Sequence, residues 1–258
     1  MFFNWSLHRA EPLKHTYPQA ARSSGVDYGP VITPNFLQES AYFGQGHTFI
    51  VGCDEVGRGC LAGPVVAATV VFAWSPEDFL FREPWLKGIR DSKTLSPQQR
   101  AAAETLIRAQ AKGIGVGVVA PEMIDEINIH QASLLAMKKA VLALPEPLQS
   151  APVLVDGRFV IPGLHGHQRA IIDGDALVFS IAAASIVAKE YRDRLMVELD
   201  KQFPVYGFAQ HKGYATLQHR KAILAHGLLD AHRLSFCGAF GPQVASRKEN
   251  PVDILPTE

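Results

Sequence analysis

Two carboxylates stand side by side in Cys53-Asp54-Glu55-Val56-Gly57-Arg58-Gly59-Cys60, and an apolar run flanks them on each side. Phe49-Ile50-Val51 precedes them, and Gly63-Pro64-Val65-Val66 on to Val70-Val71-Phe72 follows. The second run is β-branched and almost continuously apolar, the pattern of a strand buried on both faces. A buried carboxylate without a partner is costly, so two adjacent acids at the mouth of such a strand need a counter-charge. A cation, a metal or a positively charged substrate meets that need. The glycines around Arg58 imply that the backbone itself comes close to something.

The chain around this stretch alternates strand and helix signals. His47 to Cys53 predicts a first strand and Pro64 to Ala73 a second. A looser segment with Pro76, Pro84 and Trp85 follows. Ser96, Pro97 and Gln99 form a capping-box pattern that opens a helix to about Lys112, with Gly113 as its stop. Gly115 to Val119 is a short strand. Pro121 opens a helix with Ile124, Ile127, Leu134, Met137, Val141 and Leu144 on one face and a break near Asn128; Pro145 and Pro147 end it. Pro152 to Val155 is a strand that delivers Asp156, and Ala170 to Ile172 one that delivers Asp173-Gly174-Asp175. A long helix, apolar first and charged later, runs from about Leu177 to Phe203. Tyr206 to Tyr214 reads as loop, and Thr216 caps a helix to about His226 that Gly227 stops. This order predicts an α/β domain around a mixed sheet flanked by helices, with a helical C-terminal part.

The domain is expected over 46–240, between a proline-interrupted extension at 1–45, partly ordered or disordered, and a tail at 241–258. Hydrophobic residues make up 47% of the 258, enough for a sizeable core. Acids and bases balance at 25 each, yet Lys201 to Lys248 holds seven Lys/Arg against one acid, Asp230, together with His211, His219, His226 and His232. A solvated basic face and a phosphate-binding surface both fit that cluster. Cys53, Cys60 and Cys237 have no zinc-type spacing and read as buried thiols of a reducing compartment. No secretory leader and no membrane span are expected, so the default is a soluble, cytoplasmic protein.

Three predicted strands end in acids: Asp54-Glu55, Asp156 and Asp173/Asp175. Any one alone is an ordinary turn residue. Four acids converging from one sheet would raise each other's pKa, and divalent cations resolve the conflict. A site of carboxylates without histidine or cysteine suits hard, oxygen-preferring Mg²⁺ or Mn²⁺. Two such ions, roughly 3.5–4 Å apart, clamp the attacking and leaving oxygens of a phosphodiester. Neighbouring strand residues face opposite ways, so Asp54 and Glu55 are expected to share a site only if the strand ends there and the chain turns.

Gly52 to Gly59 resembles the signature of bacterial type 2 ribonucleases H (ribonuclease HII). So do Asp91-Ser92-Lys93, Ile124-Asp125-Glu126-Ile127-Asn128-Ile129, Val155-Asp156-Gly157, Ala183-Ala184-Ser185-Ile186-Val187-Ala188-Lys189 and Tyr206 to Tyr214, all in the family's order. The resemblance implies a ribonuclease H-like fold. It implies hydrolysis of RNA paired with DNA, including single ribonucleotides in duplex DNA, as in ribonucleotide excision repair, with the cut 5′ of the ribonucleotide leaving 3′-hydroxyl and 5′-phosphate ends. The family's four catalytic, metal-binding acids map onto Asp54, Glu55, Asp156 and Asp175. Asp175 is preferred to Asp173 because it follows Gly174 and stands ten residues before Ser185. Gly57, Arg58 and Gly59 resemble the sensor of the 2′-hydroxyl, the group that distinguishes RNA from DNA. Tyr214 resembles the tyrosine that packs on the next deoxyribose. Lys93, Lys189 and Lys212 would contact phosphates, with Ser92 and Ser185 as donors; Lys189 equally suits pairing with Asp193 at helical spacing. Two Mn²⁺ or Mg²⁺ ions and a monomer are expected.

Leu234 stands where the family more often has arginine or lysine. The extension is too short for the N-terminal domain of the related type 3 enzymes, whose fourth acid is typically glutamate. A binding protein that has lost catalysis conflicts with the presence of all four acids. A nuclease for DNA alone has no use for the Gly-Arg-Gly sensor.

Overall fold

The computed structural model describes residues 33–73 and 88–241. The segment with Pro76, Pro84 and Trp85, most of the extension, and the tail with Arg247 and Lys248 lie outside the described residues. The strands are β1 (Ile50–Val56), β2 (Val65–Phe72), β3 (Gly113–Val119), β4 (Val153–Asp156) and β5 (Gln168–Ile171). The helices are α1 (Leu37–Phe43), α2 (Pro97–Gln110), α3 (Pro121–Leu142), α4 (Gly174–Leu177), α5 (Phe179–Gln202), α6 (Phe208–His211) and α7 (Leu217–His226).

The sheet order is β3-β2-β1-β4-β5. β1, β2 and β3 pair antiparallel, whereas β4 runs parallel to β1 and β5 parallel to β4. The sheet is mixed, with α3 on one face and α5 on the other, and every residue of β2 is buried between them. Val51 and Cys53 belong to the α3-side core; Gly52, of opposite parity, faces α5. A Cβ on Gly52 would stand 2.1 Å from the Ser180 carbonyl carbon, so α5 lies directly on the β1 backbone. Gly117 does the same for α3, where a Cβ would come within 2.0 Å of the Ala136 oxygen.

Local signals set the element ends. The Ser96 hydroxyl accepts from the Gln99 N–H at 3.3 Å, and the Gln99 side chain accepts from the Ser96 N–H at 2.9 Å, closing the capping box. Helix α2 ends two residues early, because the Lys112 N–H bonds the Val71 carbonyl and Gly113 already belongs to β3. The break in α3 falls on Asn128, whose φ is 67°. Its side-chain oxygen accepts from the N–H groups of His130 and Gln131, capping the second half of the helix. The long helix expected from Leu177 is divided: extended Val178 separates α4 from α5 and bridges to Asn35. The stretch read as loop from Tyr206 contains α6 and follows a 3₁₀ turn, Pro204–Tyr206. Thr216 caps α7, and Gly227 ends it with φ 86°.

Part of the segment read as extension is packed onto the sheet's helical layer. The α1 residue Glu39 is buried and accepts from both the N–H and the hydroxyl of Ser180, and Phe36 lies 5.0 Å from Phe179. A separate apolar cluster, including Leu61, Met196, Phe208, Ile223 and Leu229, holds the C-terminal part against α5 and the loop after β1. All three cysteines are buried and free. Among the described residues no helix is long and apolar enough to cross a membrane.

Candidate metal centre

The acids meet where the β1–β4 ladder stops. Its last partners are Cys53 and Val155, and the next residue on each strand is a carboxylate, Asp54 or Asp156. On its other edge β1 stays paired with β2 through Val56. The strand therefore does not end before Asp54-Glu55, contrary to the expectation that a turn must bring them together. Asp54 points toward α5, where Ser185 hydrogen-bonds it; Glu55 points to the α3 side, into a cavity of about 250 Å³ that Asp156 also lines. Beyond Cys53 the ladder to β4 has no further rung, and both acids lie beside Asp156. Carboxylate oxygens of Asp54, Glu55 and Asp156 lie within 4.8 Å of one another.

Asp175 adjoins them from the first turn of α4, with its carboxylate outside the set of three. Its N–H donates to the Asp156 Oδ1 at 3.3 Å, and its Oδ2 accepts from the Lys93 ammonium at 2.9 Å. Gly174 keeps the space beside it tight, since a Cβ there would meet the Ile181 Cδ1 at 2.8 Å and the Asp156 carboxylate at 3.1 Å. Asp173 is an exposed, left-handed residue with φ 55° at the start of the turn.

The cluster is electrostatically strained. Burial, then the charges of Glu55 and Asp156, push the Asp54 carboxyl well above the usual carboxylate range, against the Ser185 hydrogen bond. Asp156 is pushed up to about 6 by burial, then by Asp175 and Glu55. A cation relieves both. The donors are all hard oxygens, which fits a divalent ion of the Mg²⁺ or Mn²⁺ kind. Burial, then the neighbouring acids, push the Cys53 thiol well above its ordinary range, and it is not among the clustered oxygen donors.

Residues 51–239 match the family model for ribonuclease HII. The chain is 50% identical over 198 residues to a ribonuclease HII of Bacillus cereus strain Q1, covering 77% of this chain and 72% of that one. It is 46% identical over 202 residues to a ribonuclease HII of Alkaliphilus metalliredigens, covering 77% and 94%. The chain belongs to the ribonuclease HII family. Ribonuclease H endonuclease activity on nucleic acid comes with that membership, as does dependence on a divalent metal. Among solved structures, the ribonuclease HII of Archaeoglobus fulgidus, in a complex with PCNA, superposes with TM-score 0.58 and 30% identity over 72% of this chain and 93% of that one.

The other motif residues of this ribonuclease HII-family chain are placed unequally. Lys93 sits at the acids: burial opposes its charge, but the Asp175 hydrogen bond and charge outweigh it and hold the ammonium protonated. Ser92 shares a 2.9 Å hydroxyl contact with Ser185, giving a chain from Ser92 through Ser185 to Asp54. Arg58 pairs with Glu55 at 2.9 Å, so in this state the residue expected to read the sugar also offsets an acid. Lys189 bonds Asp193 at 2.6 Å, the intrahelical alternative, beside the Arg100–Glu190 pair. The Lys212 ammonium folds back onto the Ala209 carbonyl. Tyr214 is partly exposed, and its hydroxyl is in a hydrogen bond with Cys60, which puts it beside the Gly57–Gly59 loop.

The basic C-terminal cluster is not one surface. Arg233, His219 and His232 are wholly buried, and His211 nearly so. His232 Nδ1 accepts from the Leu229 N–H, so its Nε2–H donates to His219 Nε2, whose Nδ1–H donates to the Tyr214 carbonyl. Both rings of that chain are neutral, and burial pushes His219 down to about 4. Arg220 and Lys221 remain exposed. Arg192 and the buried Arg233 carry no separate role in the sequence pattern. A charged residue in the polar half of a helix or in a basic cluster carries no local mark of burial.

Proposed function

We propose that this protein hydrolyses the RNA strand of RNA–DNA hybrids and cuts at single ribonucleotides within duplex DNA. The cut falls 5′ of the ribonucleotide and leaves 3′-hydroxyl and 5′-phosphate ends. The observation that carries the reading is the convergence of Asp54, Glu55 and Asp156 within 4.8 Å at the ends of the neighbouring inner strands β1 and β4, just before the glycine-flanked Arg58. Asp54, Glu55, Asp156 and Asp175 are the residues that would hold two divalent cations, Mg²⁺ or Mn²⁺. The chemistry that such a pair supplies is activation of a water and neutralisation of charge on the leaving 3′-oxygen.

The protein's own residues do the rest. Ser185 orients Asp54, and the Asp175 N–H orients Asp156. Lys93, which stands on Asp175, would contact a substrate phosphate. Gly57, Arg58 and Gly59 present backbone groups to the ribose, and Tyr214 packs on the following deoxyribose, where a 2′-hydroxyl would clash. Lys212 contacts the backbone phosphates, and Lys189 braces α5 through Asp193. The enzyme acts as a cytoplasmic monomer in ribonucleotide excision.

The test is a duplex with one embedded ribonucleotide, incubated with Mg²⁺, Mn²⁺ or EDTA. Metal-dependent cleavage 5′ of the ribonucleotide, with the all-DNA duplex intact, is expected. Failure to cut in either metal, or equal cutting of all-DNA duplex, sinks the proposal.

A further inference from the structure

Arg192 on α5 and Arg233 beyond α7 have no exposed surface, and neither forms a salt bridge among the described residues. Their hydrogen bonds go to main-chain carbonyls. Arg233 donates Nε and Nη2 to the Gly63 carbonyl at 3.0 and 2.8 Å, and Nη1 to the Arg58 carbonyl at 3.0 Å. Arg192 donates Nε to Pro64 at 2.9 Å, Nη2 to Ala62 at 3.1 Å and Nη1 to Lys212 at 2.8 Å. Buried cations are a poor way to gain stability, because desolvation offsets what their bonds contribute. What they do provide is direction: four carbonyls of the 58–64 loop are turned inward.

A trans peptide sets its C=O and the following N–H on opposite sides. The Arg58–Gly59 bond is not cis, so holding the Arg58 carbonyl on Arg233 turns the Gly59 N–H outward. The two glycines of the loop then have different reasons. Gly57 has φ 93°, and a Cβ on it would lie 2.2 Å from the Arg192 Nε; it makes room for the guanidinium behind the loop. Gly59 has no positive φ, and a Cβ on it would meet nothing within 4 Å. Among the described residues nothing fills the space in front of Gly59, so the backbone there is open to whatever approaches.

Arg192 also joins the loop to the Lys212 turn, where the Leu61 N–H donates to the Gly213 carbonyl at 2.9 Å. Asp125 on α3 anchors the residues after Arg233, accepting from the Leu234 and Ser235 N–H groups at 2.8 and 2.9 Å. We infer that Arg192 and Arg233 are positioning residues for ribonucleotide recognition: they aim the Gly59 N–H at the sugar and set its spacing from Tyr214. The inference rests on the function proposed above.

The test uses the full chain with Arg192→Lys and Arg233→Lys. Lysine keeps the charge but cannot reproduce the planar set of three N–H donors that each guanidinium uses on two or three carbonyls. Each variant is expected to lose at least tenfold in kcat/KM on the single-ribonucleotide duplex, while Kd for the all-DNA duplex and for Mn²⁺ stays within twofold of wild type. Gly59→Ala is expected to show the same loss with an unchanged melting temperature. Lysine variants that cut as well as wild type, that lose DNA affinity in parallel, or that both fail to fold overturn the inference and leave the arginines as stability elements. A wild type that does not cut ribonucleotides overturns the function reading itself, and the inference with it.

Discussion

Replacing Asp156 by asparagine should stabilise the metal-free protein while removing its activity. Asp156 carries a pKa of about 6, against 3.8 ordinarily, because burial and the charges of Asp175 and Glu55 disfavour its ionised form. A carboxyl raised in the folded state costs nothing below its unfolded pKa. The cost grows as pH rises above 3.8 and is complete once pH passes about 6. A shift of this size corresponds to about 3 kcal/mol, and partial solvent access lowers that to about 1–2 kcal/mol. Asparagine keeps an oxygen for the Asp175 N–H and removes the charge. The variant-minus-wild-type stability in EDTA should therefore rise from near zero at pH 4 to about 1–2 kcal/mol at pH 7.5, or about 2–8 °C in melting temperature. Comparing the two proteins at each pH cancels His219, whose depressed pKa of about 4 destabilises both alike as pH falls below 6.5. Urea unfolding across this range gives the difference directly. With Mn²⁺ added the order should reverse, because wild type then binds the ion and the variant binds it poorly. An asparagine variant less stable than wild type at pH 7.5 in EDTA would refute the idea that the acids repel one another.

Three further outcomes follow from the geometry. Asp54→Asn should abolish cleavage of a single-ribonucleotide duplex while duplex binding persists in a gel-shift assay; loss of both in a folded protein contradicts a metal role. Tyr214→Ala should weaken the preference for the RNA–DNA junction, measured as a ratio of cleavage rates, with little change in melting temperature; an unchanged ratio rejects the assignment. Gly52→Ala should cost about 1–3 kcal/mol or more, seen in urea unfolding, because its Cβ would stand 2.1 Å from the α5 backbone; a neutral result would show that α5 can move away from β1.

Most elements are legible in the sequence because their causes are local. Ser96, Pro97 and Gln99 cap α2 through atoms three residues apart, and Asn128 breaks α3 with its own side chain. The acids are legible too, since Asp54, Asp156 and Asp175 each follow an apolar run or its turn. What escaped were features with remote causes. Val178 is extended because it bridges to Asn35, far upstream, so a helix that looked continuous from Leu177 is split. Arg233 and His232 looked like members of a basic surface and are instead core residues, supplied with partners by Gly63, Arg58, His219 and Leu229.

The doublet at 54–55 shows where the division falls. Two acids at a buried strand beside a glycine-flanked arginine, and more acids at the ends of two later strands, can be read from the residues alone. Alternation and capping, which act over a few residues, carry that information. How side chains of opposite parity come to share one site is set by long-range packing. That depends on β4 ending one residue after its last partner on β1, and on guanidiniums from positions 192 and 233 turning the next loop. The groups that satisfy those carbonyls are more than a hundred residues away, and no local pattern records them.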